Sequence, residues 1–98
     1  MKIKIIPYND EWPLLFETIK KEIKKIIIDN EIIIEHIGST SVYNLASKPI
    51  IDILIGVGSN ELDMYIKPIK NLGYTYIKDY EIETPNRRFF FYEKSKKR

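Results

Sequence analysis

A chain of 98 residues with a 44% hydrophobic share and 12% aromatics can build one small domain with a modest core and has little left over for a second. Sixteen Lys and Arg against fourteen Asp and Glu leave a formal charge of +2, so the overall balance calls for neither nucleic acid nor an anionic membrane. The lack of cysteine excludes disulfides, thiolate metal sites and cysteine nucleophiles, and no run approaches the roughly 18 apolar residues of a spanning helix, so the expectation is a soluble, cytoplasmic chain.

Lys2 to Ile6 alternates polar and apolar residues until Pro7, the pattern of a short edge strand. A helix follows: Asn9 or Asp10 can cap it, Pro13 falls in its first turn, and Trp12, Phe16, Ile19, Ile23 and Ile26 make one apolar stripe. Lys20, Lys21, Lys24 and Lys25 fall mostly off that stripe, as a solvated face does. Ile32 to Ile37 is a β-branched run broken by Gly38, and Ile50 to Val57, aliphatic on both faces, reads as a central strand. Ser59 can cap a helix carrying Leu62, Tyr65, Ile66, Ile69 and Leu72 and closed by Gly73, with Pro68 kinking or splitting it. Tyr74 to Ile77 and, after a turn at 84–86, Arg88 to Tyr92 are the remaining strand candidates; the tail from Lys94 is polar. This order predicts an α/β (α+β) domain over residues 1–98, a small mixed sheet with helices packed against it.

Asp52 is a single carboxylate between Ile50-Ile51 and Ile53-Leu54-Ile55. An isolated buried charge is costly, so it must be paired, bound to a metal or protonated. Gly38-Ser39-Thr40-Ser41 lies just after a predicted strand, and its backbone N–H groups and three hydroxyls make a candidate cradle for phosphate oxygens. The plainer reading is a capped turn opening a short helical stretch at 42–46. Twelve residues separate Ser39 from Asp52, enough for the chain to return on a neighbouring strand and bring the carboxylate to the turn.

These residues carry a resemblance. A Gly-Ser turn after a strand, then an acidic residue inside a hydrophobic strand, resembles the signature of the DNA polymerase beta-like nucleotidyltransferase superfamily. Pro7-Tyr8-Asn9-Asp10-Glu11-Trp12, Glu35-His36-Ile37-Gly38-Ser39-Thr40-Ser41-Val42, Lys48-Pro49-Ile50-Ile51-Asp52-Ile53 and Arg87-Arg88-Phe89-Phe90, in that order, resemble the GrpB family across nearly the whole chain. Active superfamily members usually carry a second carboxylate two places after the first, where this chain has Leu54, and family members run on past the Arg-Arg-Phe-Phe segment into a histidine-bearing strand and a helical part. The expectation is therefore a family domain whose C-terminal part is missing.

The resemblance implies a nucleotide or another phosphorylated small molecule as ligand, held with a weakly bound Mg2+. Asp52 is the implied catalytic residue and metal ligand, with Glu35 as a second ligand only if it points inward. Phosphate contacts are implied for His36, Gly38, Ser39, Thr40, Ser41, Lys48 and Arg88, the last as a bidentate clamp. Each has a plainer alternative: a histidine satisfied by backbone, a solvated lysine, a surface arginine. Because the first and second carboxylates do not both survive, the competing reading is a non-catalytic remnant or interaction module that keeps the fold. Nucleic-acid binding is disfavoured by the acidic residues interrupting the lysine-rich helix, and a homodimer through an exposed sheet edge is a further expectation.

Overall fold

The computed structural model describes residues 4–27, 32–56, 62–78 and 87–93. Helix α1 runs Glu11–Ile26, strand β1 Ile33–Ile37, β2 Ile50–Gly56, helix α2 Ile66–Asn71, β3 Thr75–Ile77 and β4 Arg87–Glu93, with tight helical turns at Ser39–Ser41 and Leu62–Tyr65. The expected edge strand before Pro7 reduces, among the described residues, to one bridge in which Ile6 and Ser47 exchange backbone hydrogen bonds of 2.9 Å. The proposed cap at Ser59, the turn at 84–86 and the tail lie outside the described residues.

The stripe on α1 behaves as its spacing requires: Trp12, Phe16, Ile19 and Ile23 are buried, while Lys21, Lys24 and Lys25 are exposed. Asn9 supplies the first-turn bond, its Oδ1 accepting from the Glu11 N–H at 2.8 Å, whereas Asp10 makes no capping bond. Pro68 splits the second helical stretch, as its missing donor demands: the tight turn ends at Tyr65, and α2 restarts so that Pro68 sits in its first turn, where no partner for a backbone N–H is needed. Gly73, at φ +109°, ends it, its N–H reaching the Lys70 carbonyl at 2.9 Å.

The four strands lie in the order β1-β2-β4-β3, and every hydrogen-bonded pair is antiparallel. This corrects the expectation of a mixed ladder. β2 and β3 do run the same way, joined through α2, but β4 is inserted between them and pairs antiparallel with both. β2 is central, as its apolar run suggests.

Opposed residues in an antiparallel pair share a face, so the register sorts the sheet into two surfaces. Ile34, His36, Ile51, Ile53, Ile55, Phe90 and Tyr92 face the helices, and the buried ones among them form one core with the α1 stripe, Ile69 and Tyr74. Each fully buried Ile or Phe there contributes about 1.5–3 kcal/mol. Ile33, Glu35, Ile37, Asp52, Leu54, Phe89 and Phe91 occupy the other face, which no described helix covers and where none of these side chains is fully buried.

Candidate functional site

Asp52 lies opposite Ile37, the last residue of β1, so its carboxylate emerges beside the residue that follows, Gly38. A Cβ built on Gly38 would overlap the Asp52 Oδ2 and come within 3.1 Å of Cγ and 3.2 Å of Cβ. The carboxylate therefore occupies the space that any other residue at position 38 would fill. Gly38 also holds φ +80° and ψ −172°, a region that essentially only glycine enters, so two separate demands meet at this position. The proximity of Asp52 to the Gly-Ser turn, expected from the spacing, is present in the structure.

The three hydroxyls of the turn do different things. Thr40 is buried, and its Oγ1 donates to the Ile50 carbonyl at 2.9 Å. A hydroxyl has one proton, so the His36 Nε2 at 2.9 Å must be the donor to Thr40 Oγ1. His36 stacks on Phe16, ring centroids 5.0 Å apart, on the helix-covered face, and burial pushes its pKa down, keeping the imidazole neutral. His36 and Thr40 thus tie the turn to β2 from behind; neither side chain lies on the face of Asp52. Ser41 Oγ donates to the Gly38 carbonyl at 2.6 Å, closing the turn, and Val42 is already extended, so the helical stretch is 39–41 rather than 42–46. The hydroxyl of Ser39 and the N–H groups of Ser39 and Thr40 bond to no described residue.

Burial raises the Asp52 carboxyl above its ordinary range, and the positive charge of exposed Lys48 pulls it partly back. Arg88 is placed elsewhere. Opposite Ile55, it faces the helices, its Nη2 paired with exposed Asp63 at 2.9 Å. Arg87 shares the face of Asp52 but lies at the far end of β2, opposite Gly56 and packed against it. The clamp expected of Arg88 is thus on the wrong surface, because strand register, which a lone sequence does not reveal, sets which of two adjacent arginines faces where.

Leu54 lies on the face of Asp52, between Glu35 on β1 and Phe89 on β4. Glu35 is exposed and diagonal to Asp52, and among the described residues no three His, Asp or Glu side chains converge to hold a metal ion. The described residues thus bring one carboxylate, that of Asp52, to the turn, with the positive charge of Lys48 acting on it.

The sequence profile of the GrpB protein family matches residues 2–98. The chain belongs to the GrpB family. Its relatives include UPF0157 protein YqkA of Bacillus subtilis, 44% identical over 75 residues that make up 76% of this chain and 22% of that protein. UPF0157 protein BH1888 of Halalkalibacterium halodurans is 39% identical over 74 residues, 74% of this chain and 38% of the relative. UPF0157 protein PA4798 of Pseudomonas aeruginosa is 32% identical over 94 residues, 95% and 37%. The chain thus spans less than half the length of these GrpB-family relatives. No solved structure matches it. Among the described residues no helix is long and apolar enough to cross a membrane.

Proposed function

We propose that the Gly38–Ser41 turn and Asp52 form a binding site for a nucleotide or another phosphorylated small molecule, and that the chain binds such a ligand without transferring it. The observation that carries this reading is the seating of the Asp52 carboxylate in the space left by the missing side chain of Gly38. Keeping a half-buried carboxylate against its desolvation cost, beside two backbone N–H groups that bond to no described residue, is hard to explain by stability alone. In this reading Ser39 and the adjoining N–H groups receive phosphate oxygens and Lys48 supplies the charge.

The donor set fits no dedicated metal centre. Asp52 would give one oxygen to a Mg2+ that arrives with the ligand's own phosphates, and the ion's chemistry would be to neutralise phosphate charge. Two-metal nucleotidyl transfer needs further carboxylates, and Leu54 stands where the superfamily resemblance puts one. That residue supports the reading of binding without transfer.

Titration with ATP, AMP and pyrophosphate, each with Mg2+, followed by backbone NMR, tests the reading. Saturable shifts at 38–41 and 48–52 that disappear in Asp52→Ala or Ser39→Ala support it. Absence of shifts with every probe refutes the site, and labelled-nucleotide turnover abolished by Asp52→Ala would refute the claim that transfer is lost.

A further inference from the structure

On the surface of the sheet turned away from Asp52, α1 and the ends of β3 and β4 enclose a cavity of about 520 Å³. That volume is in the range of small-molecule sites. Its walls come from two sources. Leu15, Thr18, Ile19 and Glu22 form an i, i+3, i+4, i+7 stripe on α1, apolar in the middle and acidic at its end. Facing them are Tyr74 and Tyr92, set edge to face with ring centroids 5.8 Å apart and planes at 72°.

We propose that this cavity binds a small organic cation, an amine or quaternary ammonium on an apolar or aromatic body. Glu22 is the anchor. Its Oε1 accepts a hydrogen bond from the Tyr74 hydroxyl, which fixes the carboxylate at the wall, and its second oxygen bonds to no described residue. Burial, and after it the bond to Glu22, push the Tyr74 pKa up, so the hydroxyl keeps its proton as the donor. Among the described lining residues none is basic. An anion would therefore meet the Glu22 charge with no cation in the described lining, while an ammonium gains that carboxylate and the ring of Tyr92. Leu15 and Ile19 supply the floor against which the body of the ligand would bury apolar surface.

The site is independent of the phosphate reading. Tyr92 opposes Ile51 and so lies on the helix-covered face, whereas Asp52 points to the other.

The test is a backbone NMR titration of the chain with three ligands of matched shape: phenethylammonium, neutral 2-phenylethanol and anionic phenylacetate. The expected result is saturable shifts at Thr18, Gly73 and Thr75 with the ammonium, binding of the alcohol weaker by roughly tenfold, and none of the carboxylate. Glu22→Gln keeps an acceptor for Tyr74 on an exposed side chain, so it folds, and should weaken the ammonium several-fold. Tyr92→Leu should do the same by removing a wall. Equal affinity for ammonium and alcohol, binding of phenylacetate, no saturable shift with the ammonium, or unchanged affinity in Glu22→Gln each overturns the proposal.

Discussion

Replacing Gly38 by alanine puts a methyl group into the seat of the Asp52 carboxylate and forces a side-chain-bearing residue into φ +80°. The backbone part of the penalty is about 1–3 kcal/mol, the usual cost of holding such a residue in a glycine-only region. Displacing the carboxylate adds an overpacking cost of about 1–3 kcal/mol, since Oδ2 is overlapped and Cγ stands 3.1 Å from the new atom. Asp52→Ala removes both of those atoms and leaves only Cβ, at 3.2 Å. In that background Gly38→Ala should cost only the backbone part, so the double-mutant cycle should show a coupling of about 1–3 kcal/mol. Urea unfolding followed by fluorescence measures it, because Trp12 is the single tryptophan and is buried in the core. Additivity within about 0.5 kcal/mol would mean that the two residues do not share the space, and the site as drawn would be wrong.

Asp52→Asn should leave folding intact or stabilise it at neutral pH, because the carboxyl is raised by burial and only partly relieved by Lys48. A raised folded pKa means that its favourable contribution is complete below the unfolded value and is lost as pH rises through the folded one. Urea midpoints measured from about pH 3 to 7 should therefore fall in the wild type relative to Asp52→Asn, and a parallel course would contradict this. Thr40→Val strands the His36 Nε2–H and the Ile50 carbonyl and should cost about 1–3 kcal/mol, Thr40→Ser much less; equal losses in the same urea assay would point to lost packing instead. Asp63→Ala should cost less than about 1 kcal/mol, since that partner of Arg88 is largely exposed, and thermal unfolding checks it.

Sequence periodicity carried most of the secondary structure. The α1 stripe, the two aliphatic strands and the break at Pro68 follow from spacing and from one missing N–H, which are local properties. The meeting of Gly38 with Asp52 was also legible, because a glycine closing one strand and a short return leave few places for the carboxylate. What was hidden is non-local. Which of Arg87 and Arg88 faces Asp52 depends on a register that a shift of one residue inverts, and the burial of Thr40 beneath His36 depends on how the turn folds back onto β2. The cavity beside Tyr74 unites residues more than fifty positions apart, Glu22 and Tyr74 among them, and no spacing rule announces such a pairing.

The insertion of β4 between β2 and β3 also has a kinetic meaning. During synthesis α1, β1 and β2 leave the ribosome first, and the β1–β2 hairpin closes over a short connection against α1, a nucleus of low contact order. The three residues of β3 then emerge with no hydrogen-bonding neighbour, since their sole partner among the described strands is still unmade. Only when the segment from Arg87 to Glu93 slots into the gap do two ladders form at once. Hydrogen exchange pulsed during refolding should thus protect Ile34 and Ile53 early and Tyr76 together with Phe90 late. Until that moment the inner edge of β2 stands open, the stage at which a growing chain of this topology most needs shielding from its neighbours.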